Sequence, residues 1–234
     1  MGAQKRVFIT GSNRGIGLAL ARHLARQGWQ VFAATRKPQA EALQALARQF
    51  PGRVQVVPLD VTDEAGIEAA ARQVQQQSGG LEWLINNAGV LVRDERWDTL
   101  DPAAMAQAFR VNAIAPLIVA KHFVPLLRRG HRPLICQMTS VMGSITLTEG
   151  GGYYSYRGSK AALNMMSKVL AHELKPLGIT VVLMHPGWVR TDMGGAAAPL
   201  DPDTSAQGIV RVLRGLSLAD TGRYVTWEGQ SLPW

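Results

Sequence analysis

The alternation of strand-like and helix-like patterns is the feature that most constrains how this chain folds. Short apolar, β-branched runs are separated by helical patterns along nearly the whole sequence, as where Ile16, Leu20 and Leu24 recur on one helical face. Strands separated by helices pair in parallel through right-handed crossovers. The sequence therefore predicts an α/β fold with a doubly wound parallel sheet of about seven strands and helices on both faces.

The predicted strands are residues 5–10, 30–35, 54–59, 81–85, 134–138, 180–185 and 223–226. The predicted helices are residues 16–27, 38–49, 63–77, 102–111, 113–128, 153–174 and 204–215. No linker, repeat or low-complexity segment interrupts this order, and 47% hydrophobic with 18% charged residues excludes a disordered composition. We expect a single domain over residues 1–234.

A glycine-rich loop follows the first predicted strand. Its glycines permit a tight turn and close approach of the backbone to a pyrophosphate, and the next helix offers free N–H groups. The spacing is G-x-x-x-G-x-G rather than G-x-G-x-x-G, and a simple turn is the alternative. The position favours a Rossmann-type dinucleotide loop made of Gly11, Ser12, Asn13, Arg14, Gly15, Ile16 and Gly17.

The residues after the second predicted strand indicate which dinucleotide binds. Sites for NAD usually carry an acidic residue there, about 20 residues beyond the glycines. This chain has Thr35, Arg36 and Lys37 instead. A guanidinium pairs with a 2′-phosphate, and Arg14 adds a second positive charge. The sequence predicts NADP(H), the alternative being that Arg36 and Lys37 only face solvent.

Tyr156 and Lys160 are the predicted acid–base pair. Residues four apart lie on one face of a helix, where an ammonium stabilises a phenolate and lowers the phenol's pKa. Pairs with this spacing are common by chance, and by itself this one would be interpreted as structural. Neither Tyr153 nor Tyr154 has a lysine four residues further on.

With these motifs, the sequence resembles the short-chain dehydrogenase/reductase family over essentially its full length. Further family motifs stand in the expected order: Asp60-Val61, Asn86-Asn87-Ala88-Gly89, Asn112, Ser140 and Pro186-Gly187. Within the family, residues 186–195 and 222–234 are most similar to the carbonyl reductases related to sniffer and to the C-factor signalling proteins.

The resemblance implies NADPH-dependent reduction of an aldehyde, ketone or quinone to the alcohol. It assigns Tyr156 as the proton donor to the carbonyl oxygen and Lys160 as the group that lowers its pKa and holds the nicotinamide ribose. Ser140 is expected to hydrogen-bond the carbonyl oxygen, with Thr139 as a weaker alternative for this role. Asn112 is expected to anchor a water that relays protons through Lys160.

The resemblance also implies further cofactor contacts. Asp60, with Val61 beside it, is expected at the adenine, and Asn87, Ala88 and Gly89 at the adenosine ribose. Tyr156 and Lys160 are expected to contact the cofactor as well, and Pro186, Gly187, Val189 and Thr191 are expected at the nicotinamide end. Two of the assigned residues have structural alternatives, since Asn112 could cap a helix and Asp60 could shape a turn.

The substrate side is marked by two irregular segments. Ser140 and Tyr156 are 16 positions apart, a longer interval than is usual in the family, and the glycine-rich residues 150–152 are expected to bulge at the substrate mouth. Residues 187–200 are expected to form a lid. The predicted substrate contacts, Ser140, Met142, Tyr156, Trp188 and Met193, indicate an apolar pocket for small hydrophobic carbonyl compounds.

The net charge of +8 favours an anionic cofactor, because the basic residues are scattered rather than clustered as in a nucleic-acid interface. A DNA-binding protein remains an alternative that predicts salt-sensitive binding. The single cysteine, Cys136, excludes an internal disulfide and a cysteine-based zinc cage, and we expect no metal site. Cys136 itself is expected in a buried strand.

No signal-peptide pattern and no uncharged apolar stretch of about 18 residues is recognised, so we expect a cytoplasmic protein without a membrane segment. The resemblance implies a homodimer or homotetramer paired through residues 113–128 and 153–174. Two functional alternatives remain: an alcohol or hydroxysteroid dehydrogenase, and a signalling protein that binds NAD(P) with little turnover. Intact Ser140, Asn112, Tyr156 and Lys160 argue against the second.

Overall fold

Seven parallel strands form the centre of the molecule, as a computed structural model of residues 4–234 describes it. The strands are β1 (Arg6–Thr10), β2 (Gln30–Thr35), β3 (Val54–Pro58), β4 (Trp83–Asn86), β5 (Leu134–Met138), β6 (Thr180–His185) and β7 (Arg223–Thr226). Their order in the sheet is β3-β2-β1-β4-β5-β6-β7. The predicted doubly wound sheet is confirmed, and its order reverses between β1 and β4.

Helices cover both faces of this sheet: α1 (Gly15–Arg26), α2 (Glu41–Gln49), α3 (Glu64–Ser78), α4 (Pro102–Phe109), α5 (Ala115–Leu127), α6 (Tyr154–Leu174) and α7 (Pro202–Gly215). Side chains alternate along each strand, so Val7 and Ile9 pack under α1, α2 and α7. Phe8 packs on the other face, against α3 and α5, where its ring lies 4.3 Å from that of Phe123. The sheet is thus buried on both sides.

The register aligns the carboxyl ends of the central strands. Thr10 at the end of β1 lies opposite Ala34 of β2, and Asn86 at the end of β4 lies opposite Gln137 of β5. Open α/β sheets bind ligands in the crevice beyond these ends, at the point where the strand order reverses. The functional residues should therefore converge beside β1 and β4.

Helix α2 begins three residues later than predicted. The chain turns at residues 37–40, where the Ala40 N–H donates to the Lys37 carbonyl at 3.0 Å and Gln44 donates to the Pro38 carbonyl at 2.7 Å. Helical hydrogen bonding therefore starts only at Glu41. The predicted start after Pro38 was wrong because proline at the beginning of a helical pattern also suits a turn.

Helices α4 and α5 are joined by a π-helical turn over Arg110–Ile114, where two separate helices were predicted. The resulting helix, Pro102–Leu127, is long and apolar enough to cross a membrane by length and composition alone. It contains Arg110 and Lys121, so it is not an uncharged apolar stretch of about 18 residues. Its residues Val119, Phe123 and Leu127 are buried against the sheet, and this packing accounts for its apolar composition.

The predicted position of Cys136 in a buried strand is confirmed. Its side chain lies fully inside the core on β5. Burial raises the pKa of the Cys136 thiol far above its ordinary value, so the side chain behaves as a small hydrophobic group.

Candidate active site

The carboxyl ends of the central strands open into a cleft of about 900 Å³. It brings the glycine loop together with the tyrosine–lysine pair, although these motifs are more than a hundred residues apart in the chain. The predicted site residues that line it are Gly11, Asn13, Arg14, Gly15, Ile16, Gly17, Arg36, Asp60, Val61, Asn87, Ala88, Gly89, Tyr156, Lys160, Pro186, Thr191 and Met193.

Thr139, the weaker alternative to Ser140, also lines the cleft. Several other lining residues were not among the predicted contacts: Thr35, Lys37, Leu59, Val90, Val111, Met138, Arg190, Asp192 and Pro202. Most of them directly follow a strand or flank a predicted contact. Leu59 ends the predicted third strand, and including the last residue of each strand among the contacts would have found it.

Seven predicted site residues lie behind or beside the cleft wall: Ser12, Asn112, Ser140, Met142, Gly187, Trp188 and Val189. The Ser12 hydroxyl donates to the Ile9 carbonyl at 2.8 Å and faces the interior. Val189 is buried and bridges to Leu200, whereas Trp188 is exposed. Their proposed contacts with ligands stay predictions.

The glycine loop forms a cradle that leaves no room for side chains at its three glycines. Gly11 and Gly15 have φ angles of +70° and +55°, a region in which residues with a Cβ are strained. A Cβ on Gly17 would come within 2.3 Å of the Gly11 carbonyl oxygen. Helix α1 begins here with no side-chain cap and no acidic residue in its first turn, so its N–H groups are available to an anion.

Asn87 braces this loop against β4. Its side-chain amide donates to the carbonyls of Thr10 and Gly11 at 3.0 and 3.2 Å, and its backbone N–H donates to the Thr10 hydroxyl at 3.0 Å. The side chain predicted to contact the adenosine ribose therefore uses its amide group to hold the loop in place.

A basic side chain stands at the end of the cleft beyond β2. Arg36 Nη1 is 4.0 Å from Asp60 Oδ2, and Asp60 Oδ1 accepts the N–H and hydroxyl of Thr62 at 2.9 and 2.8 Å. Burial acts to raise the pKa of Asp60, but the Thr62 hydrogen bonds and the Arg36 charge together lower it below its ordinary value. Asp60 thus shapes a turn and also faces the arginine.

Tyr156 and Lys160 lie together on α6, as predicted, and are 9% and 5% exposed. Lys160 Nζ is 5.7 Å from the centre of the Tyr156 ring and donates to the Met138 carbonyl at 2.7 Å. Both line the cleft across from Gly89, where an added Cβ would stand 3.8 Å from the Lys160 amine. The pair therefore faces the same cavity as the glycine cradle.

The electrostatics of this pair differ from the prediction. Burial raises the pKa of Tyr156, and hydrogen bonding with the Ser140 side chain offsets only part of that rise. Burial also lowers the pKa of Lys160 to about 8. The predicted lowering of the tyrosine pKa by the ammonium was wrong for this geometry, because desolvation disfavours both charged forms.

Asn112 and Ser140 lie directly behind the pair. Asn112 is fully buried in the π-helical turn, so it is not a helix cap. Its amide donates to the Val90 carbonyl at 2.8 Å and the Ser159 hydroxyl at 3.0 Å, and its oxygen accepts the Val90 N–H. The Ser140 hydroxyl accepts the Met142 N–H at 3.2 Å. π-Helical turns are frequent at functional sites.

The predicted lid folds over the glycine loop. Asp192 forms an ion pair with Arg14 across the mouth of the cleft. Arg93 donates to the carbonyls of Asp192 and Met193 at 2.7 and 2.9 Å, and the Trp188 indole donates to Gly194 at 2.9 Å. Basic side chains from two other segments therefore hold the lid segment in place.

Comparison with known proteins identifies the family. Residues 5–200 match the short chain dehydrogenase family. The chain belongs to this family. It is 43% identical over 157 residues to C-signal of Myxococcus xanthus, an alignment that covers 67% of this chain and 95% of that protein.

Two solved carbonyl reductases superpose on this short-chain dehydrogenase over nearly its whole length. The NADPH-bound carbonyl reductase from chicken fatty liver has a TM-score of 0.92 and 38% identity, covering 99% of both chains. Carbonyl reductase Sniffer of D. melanogaster has a TM-score of 0.94 and 33% identity, covering 99% of this chain and 100% of its own. The resemblance stated from the sequence is confirmed at the level of the family.

Helix α6, which carries Tyr156 and Lys160, is also held by a residue that the sequence did not indicate. Tyr153, the residue directly before helix α6, has a φ of +56° and provides no side-chain cap. The buried Glu95 carboxylate takes over this function by accepting the N–H of Ser155 at 2.9 Å and also its hydroxyl. No local capping pattern could reveal this contact, because the two residues are 60 positions apart.

Replacing Glu95 with alanine is expected to lower the free energy of unfolding by about 2 kcal/mol, since it leaves two buried donors at the start of α6 without an acceptor. Urea denaturation measures the change. Glu149→Ala, which removes an exposed carboxylate from the neighbouring loop, is the matched control and should leave stability unchanged. Equal stability of the two variants would contradict the capping role.

Within residues 4–234, no group of three or more His, Cys, Asp or Glu side chains is placed to hold a metal ion. The charged groups of the cleft are instead five basic residues and two acidic ones. This excess of positive charge suits a phosphorylated ligand.

Proposed function

We propose that the chain is an NADPH-dependent carbonyl reductase that converts an aldehyde, ketone or quinone to the alcohol. One observation carries the proposal: a buried tyrosine–lysine pair and a glycine cradle at a helix N-terminus line the same cleft. The NADPH-bound state of the chicken fatty liver carbonyl reductase supports the choice of cofactor.

The residues present fit a dinucleotide phosphate. Gly17 lets the uncapped start of α1 pack closely against the Gly11 carbonyl, where a Cβ would clash, so that this helix N-terminus lines the cleft. Arg14 stands at that loop, and Arg36 with Lys37 stands at the far end, where a 2′-phosphate would need positive charge. Bound NADPH supplies the hydride for reduction. Arg36 is assigned to the 2′-phosphate and the α1 N-terminus to the pyrophosphate.

Tyr156 is assigned as the general acid. A phenol whose pKa is raised by burial stays protonated throughout the neutral range, so it holds a proton ready for the carbonyl oxygen. Ser140 is assigned to hydrogen-bond the same oxygen, which polarises the carbonyl group. Lys160 and Asn112 are assigned to return a proton to Tyr156 after each turnover.

The proposal extends to the protein as a whole. We assign residues 1–234 to a single domain in the cytoplasm, acting on a small-molecule carbonyl compound and not on nucleic acid or membranes. We assign the subunit interface of a homodimer or homotetramer to the faces of α5 and α6. Exposed apolar side chains at Ile114, Met165 and Val169 support that pairing.

Replacing Arg36 with glutamate is expected to reverse cofactor preference by lowering the affinity for NADPH about a hundredfold relative to NADH. The change removes a guanidinium that pairs with the 2′-phosphate and adds a repelling carboxylate. The dissociation constants of both cofactors, measured by fluorescence titration, give the ratio.

Arg53→Glu is the matched control, because it makes the same change of charge at an exposed position outside the cleft. It should leave the ratio of NADPH to NADH affinity at the wild-type value. A wild-type protein that already prefers NADH, or an unchanged ratio in Arg36→Glu, would contradict the assignment of Arg36.

The proposed activity is tested by following NADPH consumption with a panel of hydrophobic aldehydes, ketones and quinones. We expect carbonyl-dependent oxidation of NADPH and formation of the corresponding alcohol, identified by mass spectrometry. Absence of turnover with every member, while NADPH still binds, would reject the carbonyl reductase and leave a binding protein.

A signalling protein is the second candidate, and the similarity to C-signal of Myxococcus xanthus favours it. In that case the biological output needs the folded, cofactor-binding chain but not proton transfer. A strain that carries Tyr156→Phe separates the two functions, since a pure signalling role predicts full output from the variant.

A further inference from the structure

A tyrosine on the edge strand reaches the backbone of the proposed catalytic serine. Tyr224 lies on β7 and is 2% exposed. Its hydroxyl donates to the Ser140 carbonyl at 2.6 Å, across 84 positions of sequence. The phenol therefore fixes the carbonyl group of Ser140, two residues beyond the end of β5.

The same short stretch of backbone is held from a second side by α6. The Thr139 hydroxyl donates to Asn164 Oδ1 at 2.6 Å, and Asn164 Nδ2 donates to the Gly143 carbonyl at 3.1 Å. Ser140 thus lies between two anchored residues. A side chain on such a backbone keeps its direction, which is what a group that orients a reacting atom requires.

The segment after β7 continues this support. The Trp234 ring lies 5.5 Å from the Tyr224 ring, and the Trp234 carbonyl accepts the N–H and hydroxyl of Thr146 at 2.9 and 2.6 Å. The Pro233 carbonyl accepts the Ser144 hydroxyl at 2.8 Å. Residues 140–146 are therefore tied to β7 and the segment after it at three points.

We propose that Tyr224 is a positioning residue for carbonyl reduction, which holds Ser140 so that its hydroxyl points at the Tyr156 phenol and the substrate carbonyl. This inference rests on the proposed function. Tyr224 does not touch the substrate and acts only through Ser140. The strand β7 and the segment 231–234 thereby become part of the catalytic apparatus.

The protonation state of Tyr224 suits this role. Burial raises the pKa of Tyr224 to about 12, against a smaller lowering by Asn164, and the nearby Tyr156 raises it further. The phenol consequently stays a hydrogen-bond donor at every pH at which the enzyme works. The hydrogen bond from Tyr224 to the Ser140 carbonyl therefore persists whether Tyr156 is protonated or deprotonated.

Tyr224→Phe removes the donor and keeps the ring that packs against Trp234. We expect kcat to fall about tenfold, the size of one ordinary hydrogen bond, while KM for NADPH stays unchanged. Tyr154→Phe, which removes an exposed phenol from the start of α6, is the matched control and should retain full activity. Unchanged kcat in Tyr224→Phe would overturn the proposal.

A double-mutant cycle with Ser140→Ala tests whether Tyr224 acts through the serine. Without the Ser140 hydroxyl there is nothing left to position, so Tyr224→Phe should have little further effect on kcat in that background. The same tenfold loss in both backgrounds would show an independent, structural effect and would overturn the proposal.

A titration that needs no turnover separates this inference from the proposed function. The chain contains four tyrosines, so ¹³C-labelled tyrosine gives a simple NMR spectrum in which Tyr156→Phe identifies the Tyr156 signal. Ser140 hydrogen bonding lowers the pKa of Tyr156, so Tyr156 should titrate at higher pH in Tyr224→Phe. An unmoved titration would overturn the positioning role, even if no carbonyl substrate were found.

Two substitutions of equal size at position 224 serve as a control for a folding or packing defect in Tyr224→Phe. 4-Aminophenylalanine keeps a donor on the ring, and 4-methylphenylalanine has the same size without one. The first should restore both kcat and the Tyr156 titration toward wild type, and the second should not. Equal behaviour of the two would attribute the effect to packing and contradict the proposal.

Discussion

Tyr156→Phe is expected to lower the rate of carbonyl reduction by about a thousandfold while leaving NADPH binding unchanged. General acid catalysis contributes a factor of about 10² to 10⁴, and phenylalanine removes the only group assigned to donate the proton. The buried ring keeps its place on α6, so the cleft retains its shape. Steady-state kinetics with the best carbonyl substrate measure the loss, and fluorescence titration measures NADPH affinity.

Tyr154→Phe provides the control for this loss. It deletes the same hydroxyl from the same helix at an exposed position, so its kcat should equal that of the wild type. A Tyr156→Phe protein that reduces carbonyls at more than a tenth of the wild-type rate would show that another group donates the proton. Weakened NADPH binding in that variant would instead point to a structural defect.

Lys160→Met is expected to abolish most activity and, at the same time, to stabilise the cofactor-free protein at neutral pH. Burial lowers the pKa of Lys160 from 10.5 to about 8, so the folded state carries a penalty for the ammonium. The full penalty is about 3 kcal/mol at 1.36 kcal/mol per pH unit. Methionine removes it but leaves the Met138 carbonyl without its donor, which costs about 1–2 kcal/mol.

The pH dependence of this gain has a defined sign. The unfolded lysine stays protonated up to about pH 10.5, and the folded one releases its proton near pH 8. The penalty in the wild type is therefore complete below pH 8 and declines between pH 8 and 10.5. The stability advantage of Lys160→Met should be about 1–2 kcal/mol at pH 7 and should shrink or reverse by pH 10.

Urea unfolding without NADPH, at pH 7 and pH 10, measures this difference. Lys175→Met, at an exposed position just after α6, is the matched control and should show no comparable dependence on pH. A variant that is less stable than wild type at pH 7, by an amount that does not change with pH, would contradict the account of Lys160 as a buried, partly neutral amine.

Much of the fold could be predicted because its signals are local and repeated. Buried parallel strands have continuous apolar runs, and β6 and β7 have the predicted bounds. Ligands bind at the carboxyl ends of such strands, and this rule alone predicts that the glycine loop and Tyr156 meet in one cleft. The π-helical turn at Asn112 could not be predicted, because side-chain packing and not local propensity selects it.

The contacts that hold the candidate site together could not be predicted from the sequence. Glu95 and Ser155 are 60 positions apart, and Tyr224 and Ser140 are 84 apart, so neither pair has a spacing that marks it. The direction in which the Tyr156 pKa shifts also depends on burial, which raises it by more than the Ser140 hydrogen bond lowers it. The motifs indicated which residues lie together, but only the structure gives the direction in which burial and hydrogen bonds shift their pKa values.

Transfer of deuterium from NADPH that carries deuterium at both C4 positions of the nicotinamide tests the central claim most directly. In a single turnover with an aldehyde or ketone substrate, the wild type should place the label on the carbinol carbon of the product, read by mass spectrometry. Tyr156→Phe should transfer about a thousandfold more slowly with the cofactor still bound. Product without the label, or equal transfer rates in the two proteins, would contradict hydride reduction assisted by Tyr156.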